Sequence, residues 1–359
     1  MNSKNITITI FLLIVVVILS GCAGAGAGAA SSWPGLSADQ ENAYLAYNQY
    51  VYSINLSNGL EKWRFPLEGE NQINYFATPT ITSDGQLLVG DYTNLLHSLN
   101  PANGQVNWTF SEGADRYIGN PLAAGERIFA PNGGNQIYAL DANGNQLWEF
   151  ETGEALWAQP TTESDCQCIY VPSMDHHLYA LNAESGLQEW QSEAFGGSIT
   201  GTPAISQDGA TLYIGTFANE ILAINSQNGK VIWRTSTEDL VWGGPILREN
   251  NLFVGDLSGS LYAVDALTGN IIWQTETDGQ ITGSPLVTDD TIYVTTGNGS
   301  IYAYNMDGNS LWNRQVEGKL YTSPVESGDL ILVASADSDE LLFALDSNGN
   351  QRWAFTPEN

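Results

Sequence analysis

The chain has few basic residues: 11 Lys and Arg stand against 40 Asp and Glu among 359 residues, a formal net charge of −29. Proteins that bind nucleic acid neutralise its phosphates with lysine and arginine, so this composition argues against a nucleic-acid partner. The acidic excess favours solubility. Hydrophobic residues make up 43% of the chain, enough for a packed core, so the charge does not indicate disorder.

Cysteine and histidine, which often serve in catalysis and metal binding, are also scarce. The chain has three cysteines and three histidines. It shows no Ser/His/Asp spacing, no glycine-rich phosphate loop and no carboxylate pair in a recognisable catalytic frame. No window has a sustained helical period. We therefore predict no catalytic residue, no metal, no cofactor, and a fold built from strands.

A short apolar run marks the N-terminus. Lys4 precedes an almost unbroken apolar stretch over residues 6–19, which is shorter than a membrane span of about 20 residues and typical of a secretory signal. The run ends in Leu-Ser-Gly-Cys at residues 19–22, which resembles the lipobox of bacterial lipoproteins. The resemblance implies a signal peptide over residues 1–21 and lipidation of Cys22. Residues 22–32 then form a flexible Gly/Ala tether. The alternative is an uncleaved signal anchor with an unmodified Cys22.

The remaining chain, residues 33–359, is a repeat with a period of about 40 residues. A Pro opens each unit, an aliphatic residue and then an Asn or Asp follow, and a Gly stands four residues before a Trp. All five features recur in register eight times. The repeated tryptophans are Trp63, Trp108, Trp148, Trp190, Trp233, Trp273, Trp312 and Trp353. Repetition at this period is the signature of solenoids and propellers.

Each unit is predicted to form four short strands, A to D. In the sixth unit these are residues 244–247, 252–254, 261–265 and 270–275, rich in β-branched and aromatic residues. The Gly between strands C and D is expected to adopt φ > 0. A Ser or Ala on strand C leaves room for the repeat Trp between adjacent blades, where its burial contributes about 3 kcal/mol. We therefore assign the eight tryptophans a structural role. The fold class is all-β, an eight-bladed β-propeller of four-stranded antiparallel blades.

The segment LYAVDALTGNIIW at residues 261–273 resembles the PQQ-like repeat, and the resemblance extends from about Trp33 to the C-terminus. A lipoprotein with eight such blades is similar to the BamB family of outer-membrane assembly lipoproteins. This resemblance implies a monomeric, non-catalytic envelope scaffold that is held at the membrane by its lipid and binds protein partners. Such a protein would lie on the periplasmic face of an outer membrane. In a single-membrane cell the alternative is a surface propeller that binds a peptide or sugar.

The PQQ-like resemblance also includes quinoprotein dehydrogenases. Those enzymes place a disulfide between adjacent cysteines over the quinone and use Ca²⁺ with a nearby catalytic Asp. This chain has no adjacent cysteines. A quinone-dependent enzyme is therefore the third and least favoured hypothesis.

One face of the predicted propeller varies between repeats. The C–D turns are uniform, whereas the D–A crossings share the opposite face with the B–C turns and differ from blade to blade. Three residues before the repeat prolines of blades two to eight stand Phe76, Ile118, Trp157, Thr200, Trp242, Thr282 and Tyr321. The aromatic residues fall on the even-numbered blades. Either these rings fill the wide channel, or Phe76, Trp157, Trp242 and Tyr321, with Arg116 nearby, form a binding face for a peptide, sugar or small ligand.

Two cysteines and two histidines cluster in the fourth unit. Cys166 and Cys168 lie in the predicted A–B turn, and His176 and His177 lie in the B–C turn. A strand separates the pairs by roughly 17 Å, so they cannot share a zinc ion. A Cys166–Cys168 disulfide and two free thiols both remain open.

The propeller ring is expected to close between blades one and eight, directly or through a small exchange of strands.

Overall fold

A computed structural model describes residues 33–162 and 167–358 and contains eight four-stranded antiparallel sheets, each built from consecutive strands. This architecture confirms the predicted eight-bladed β-propeller. Those residues contain no helix with the length and apolar character that a membrane crossing requires. The predicted signal peptide, Cys22 and the tether lie outside the described residues.

The blades follow the order of the chain. Blades one and two contain β1 (Gly35–Ala38), β2 (Asn42–Tyr47), β3 (Tyr50–Asn55), β4 (Glu61–Phe65), β5 (Thr80–Ile81), β6 (Leu87–Gly90), β7 (Leu96–Leu99) and β8 (Val106–Phe110). Blades three and four contain β9 (Leu122–Ala124), β10 (Arg127–Pro131), β11 (Gln136–Asp141), β12 (Gln146–Glu151), β13 (Thr161–Thr162), β14 (Cys168–Pro172), β15 (Leu178–Asn182) and β16 (Gln188–Gln191). Blades five and six contain β17 (Ala204–Ile205), β18 (Thr211–Thr216), β19 (Glu220–Asn225), β20 (Val231–Ser236), β21 (Ile246–Arg248), β22 (Asn251–Gly255), β23 (Ser260–Asp265) and β24 (Ile271–Glu276). Blades seven and eight contain β25 (Leu286–Val287), β26 (Thr291–Thr295), β27 (Ser300–Asn305), β28 (Ser310–Gln315), β29 (Val325–Ser327), β30 (Leu330–Ala334), β31 (Leu342–Asp346) and β32 (Gln351–Phe355).

The core lies between adjacent blades. The two middle strands of each blade are buried on both faces, so they read as nearly continuous apolar runs, as in Leu252–Val254. Tyr213 and Ile221 of blade five pack against Val254 and Tyr262 of blade six. The outer D strand instead alternates between exposed and half-buried residues, because only one of its faces meets a neighbouring blade.

Each repeat Trp joins its blade to the next one. The indole N–H of Trp233 donates a 3.1 Å hydrogen bond to the carbonyl of Ala266 in the C–D turn of blade six. The small Ala223 pairs directly with Trp233 across the sheet, and a bulge follows. The same indole bond, at 2.8–3.2 Å, is made by all eight tryptophans. The C–D turn thus receives the Trp of the preceding blade.

The ring closes where the two ends of the propeller meet. Trp353 of blade eight donates to the carbonyl of Leu56 in blade one at 2.8 Å. The Ser327 hydroxyl donates to the carbonyl of Asp39 at 2.7 Å. Blades one and eight each draw all four strands from one continuous segment. The closing contact is therefore of the same kind as the other seven and involves no exchanged strand among the described residues.

Candidate binding face at the channel mouth

Backbone hydrogen bonds define the two faces of the propeller. On one face the D–A crossings bond to the B–C turns, as from Tyr117 N to Asp91 O at 2.9 Å and from Phe195 N to His176 O at 2.8 Å. On the other, C–D turns bond to A–B turns, as from Ala266 N to Asn250 O at 2.8 Å. The residues that vary between blades therefore gather on the first face, which we call the crossing face.

Aromatic rings meet at the centre of the crossing face. Trp33 lies between Phe76, Trp242 and Tyr321, with ring centroids 5.5, 5.1 and 5.2 Å away. Trp157 lies 6.4 Å from Trp242. We call these five residues the aromatic collar. Their side chains are half-buried, so the cluster both fills the mouth of the channel and presents ring surface to solvent.

Trp33 is the member of the collar that the sequence reasoning missed. It stands directly before Pro34, the proline that opens the first repeat. Small or polar residues occupy the matching position in blades two to eight: Thr78, Asn120, Gln159, Thr202, Gly244, Ser284 and Ser323. This departure from the repeat was the available signal. The predicted members Phe76, Trp157, Trp242 and Tyr321 do come together, although they start on four different blades.

The smaller residues between the aromatic ones position their neighbours. The hydroxyl of Thr200 donates to the backbone carbonyl of Trp242 at 2.9 Å. The hydroxyl of Thr282 donates likewise to the carbonyl of Tyr321 at 2.7 Å. The alternation along the ring therefore has a structural cause, since each of these threonines fixes the backbone of the collar residue on the following blade.

Arg116 approaches the collar through an intermediate ring. Its guanidinium carbon lies 5.3 Å from the centroid of Tyr92, a cation–π distance. Tyr92 in turn stacks on Phe76 at 6.1 Å. Burial raises the pKa of the Tyr92 hydroxyl, and the positive charge of Arg116 partly opposes that shift. Arg116 itself remains exposed at the edge of the collar.

The crossing face is mostly acidic. Carboxylates in or next to the D–A crossings include Glu112, Asp115, Glu154, Glu238, Asp239, Glu276 and Asp278. The ammonium of Lys319 lies 3.2 Å from the Asp337 carboxylate. Hydrogen bonding to Asp337, with the nearby Tyr321, raises the pKa of Lys319. The two basic groups at the collar thus already have partners, and the surrounding field is negative.

A polar cavity lies inside the channel beside the collar. It has a volume of about 180 Å³ and is lined by Trp242, Tyr321 and the threonine, serine and glycine residues that precede strand A. Glycine is needed there because a Cβ on Gly243 would lie 2.8 Å from the backbone of the next blade. The hydroxyl oxygen of Thr322 is buried without a hydrogen-bond partner. Apart from the rings of Trp242 and Tyr321, the wall is mostly polar and made of small side chains.

The histidines of blade four lie in the B–C turn, as predicted, whereas Cys168 is the first residue of a strand and not part of the A–B turn. Cys168 begins β14, and His176 and His177 lie in the turn beyond its other end. His177 Nδ1 lies 2.9 Å from the Ser192 carbonyl. Cys166, and with it the predicted choice between a Cys166–Cys168 disulfide and free thiols, lies outside the described residues. Within the part of the chain that the structure describes, no three His, Cys, Asp or Glu residues group closely enough to hold a metal ion.

The chain is similar to known proteins in sequence and in fold. The model of the family described as outer membrane protein assembly factor BamB matches residues 47–226 and 218–356. BamB of Nitrosomonas eutropha is 27% identical over 114 residues, which is 32% of this chain and 27% of that protein. Quinoprotein ethanol dehydrogenase of Pseudomonas aeruginosa is 32% identical over 73 residues, 20% of this chain and 12% of that enzyme. Tetrathionate hydrolase of Acidithiobacillus ferrooxidans is 23% identical over 137 residues, 38% of this chain and 27% of that enzyme. The matches thus span only 12 to 27% of these curated relatives.

Solved structures share the whole propeller. The crystal structure of BamB from Moraxella catarrhalis superposes with a TM-score of 0.70 at 18% identity, covering 88% of this chain and 91% of that chain. The computationally designed Ika8 protein superposes with a TM-score of 0.74 at 11% identity, covering 91% and 97%. At these identities the likeness shows the fold alone.

Proposed function

Because the chain belongs to the family of the outer membrane protein assembly factor BamB, we propose that it is a non-catalytic scaffold of the cell envelope. The observation that carries the proposal is the family match across nearly the whole propeller. In a cell with an outer membrane, the scaffold would hold protein partners during assembly of outer-membrane β-barrel proteins. The absence of adjacent cysteines supports this role over that of a quinone-dependent enzyme.

The test is affinity purification of the full-length protein from its own membranes. We expect an outer-membrane β-barrel protein, or a component of its assembly machinery, to be retained. Recovery of the folded protein with neither would contradict the scaffold role. A bound quinone absorbance together with dye reduction would favour the enzyme instead.

We further propose that the scaffold is anchored through a lipid on Cys22. Support comes from the Leu-Ser-Gly-Cys sequence at residues 19–22 and the small residues that follow it. Two or more acyl chains bind a membrane stably, whereas one does so only marginally. In cell fractionation, Cys22→Ser should therefore release most of the protein from the membrane. Equal membrane retention of the variant would instead identify an uncleaved signal anchor.

A second candidate function is ligand binding at the aromatic collar, and the half-exposed rings with the adjacent Arg116 favour it. Aromatic residues at the mouth of a cleft are typical anchors for peptides and sugars. Trp157→Ala combined with Trp242→Ala should preserve the fold and abolish capture of the partner. Unchanged capture by a folded double variant would exclude the collar. In a single-membrane cell, the propeller would lie on the outer face of the plasma membrane.

A further inference from the structure

The ring of Trp33 lies among the other rings of the aromatic collar, in the position that a bound aromatic ligand would take. Its ring is in contact range of three collar residues that come from blades two, six and eight, so it is held from several sides of the channel. It is also the residue at which the described propeller begins, next to the predicted tether. The group at the centre of the collar thus belongs to a segment that precedes β1.

The repeat itself does not require a tryptophan at this position. The seven other blades enter strand A with small or polar residues there, and they form the same four-stranded sheets. The contribution specific to Trp33 is therefore its contact with the collar rings. Because those rings and Trp33 are all half-buried, part of the indole surface is open to solvent.

The charge around the collar limits what could replace Trp33. The D–A crossings carry many carboxylates, among them Asp115, Glu238 and Asp278. The basic groups Arg116 and Lys319 are already engaged with Tyr92 and Asp337. A segment with its own carboxylates would meet a negative field at the mouth. A neutral or basic extended segment would not.

We propose that the collar is a binding site for an aromatic side chain of an extended, neutral or basic peptide, and that Trp33 is its built-in competitor. The proposal rests on the second candidate function, ligand binding at the collar. It adds the class of ligand and identifies Trp33 as the residue that competes with that ligand. Since Trp33 is linked to the propeller, it competes at an effective concentration in the millimolar range. A partner must displace it, and displacement frees the segment that joins the propeller to the predicted tether.

The test removes the competitor and supplies the ligand. The variant is Trp33→Ser, because serine stands at the matching position in blades seven and eight. The probe is the acetylated and amidated peptide Ser-Trp-Pro-Gly, a copy of residues 32–35. By calorimetric titration, we expect the variant to bind the peptide at least tenfold more tightly than the wild type. Adding Trp242→Ala to the variant should abolish binding.

Controls separate the collar from other surfaces. Leu311→Ala removes an exposed apolar side chain from the outer strand of blade seven and should leave peptide binding unchanged. Equal binding by wild type and Trp33→Ser, or binding by neither, would overturn the proposal. If Trp33→Ser is too unstable to titrate, the peptide should raise its Tm in a concentration-dependent manner. No rise would likewise overturn it.

Failure here is distinguishable from failure of the second candidate function. If the peptide does not compete with Trp33 while partner capture still depends on Trp157 and Trp242, the collar binds its partner in another way. In that case only the role of Trp33 as competitor and the ligand class are wrong.

Discussion

A glycine and a tryptophan form the smallest unit that holds this propeller together. In blade eight, Gly349 adopts φ = 77°, a conformation that costs an L-residue about 1–2 kcal/mol. A Cβ added to Gly349 would also lie 2.8 Å from the ring of Trp312. The glycine is thus required twice, once by the turn of its own blade and once by the ring of the preceding blade.

These two requirements can be separated within one blade. Gly328 also has positive φ, 62°, but a Cβ there would meet nothing within 4 Å. Gly328→Ala should lower the free energy of unfolding by about 1 kcal/mol, because only the backbone conformation is penalised. Gly349→Ala should cost that amount plus about 1–3 kcal/mol for overpacking against the ring. Urea unfolding of both variants measures the difference, and equal losses would show that the contact with Trp312 contributes nothing.

At the scale of the element, the C–D turns are stabilised by their first residue. Asp141, Asp265 and Asp346 each accept hydrogen bonds from the turn that follows them. Bonding to the Asn145 side chain, to the Thr268 hydroxyl and to the Asn350 backbone N–H, respectively, lowers the pKa of the three carboxyls. The other five blades use Asn at this position. The turn thus forms with either Asn or Asp, and where Asp is present its contribution to stability depends on pH.

The sign of that dependence follows from the lowered pKa values. The unfolded chain binds protons at these groups near pH 4, whereas the folded turns do so at lower pH. Their contribution to stability is therefore complete above about pH 4 and is lost as pH falls through the folded pKa. The matched control is the triple variant Asp141→Asn, Asp265→Asn and Asp346→Asn. The difference in free energy of unfolding between wild type and variant, from urea titrations at pH 6 and pH 3, should shrink at pH 3, and a constant difference would refute this account.

At the scale of the whole molecule, the closing interface is the one contact between blades that joins the two ends of the propeller. It uses the same indole hydrogen bond as its seven counterparts, from Trp353 to Leu56. It adds a contact of its own, because the guanidinium of Arg64 donates to the carbonyl of Glu358 at 2.9 Å. Within residues 33–162 and 167–358, closure therefore depends on side chains and not on a shared strand.

The equivalence of the interfaces can be measured. Trp353→Phe at the closing interface and Trp273→Phe between blades six and seven each remove one indole N–H donor and keep an aromatic ring. Each variant should lose about 1 kcal/mol of unfolding free energy, the net value of one hydrogen bond. A loss at Trp353 more than twice that at Trp273 would show that the closing interface is the weak point of the ring.

The length of the predicted tether limits how far the crossing face can lie from the membrane. Trp33 lies in the collar, and ten residues separate it from Cys22. Such a segment spans at most about 40 Å when fully extended. If Cys22 carries lipid, the crossing face therefore lies within about 40 Å of the membrane surface.

The sequence by itself determined the propeller, its eight blades and the role of each turn. Those features depend on local chemistry that is repeated in register. Each repeat has an Asx that accepts hydrogen bonds from its own turn, a Gly with positive φ, and a Trp four residues after that Gly. The same regularity predicted that Phe76, Trp157, Trp242 and Tyr321 would approach one another, since equivalent positions on a closed ring share one face.

Only the tertiary structure decided what lies at the centre of that face. Trp33 meets partners as distant in sequence as Tyr321, and no local pattern encodes contacts that form only when the ring closes. The bonds from Thr200 and Thr282 to the carbonyls of the next blade form only when adjacent blades pack together. The direct joining of blades one and eight depends on closure of the ring. The repeated residues determine the structure that all blades share. The contacts of the residues that depart from the repeat depend on which blades lie next to them in the folded protein.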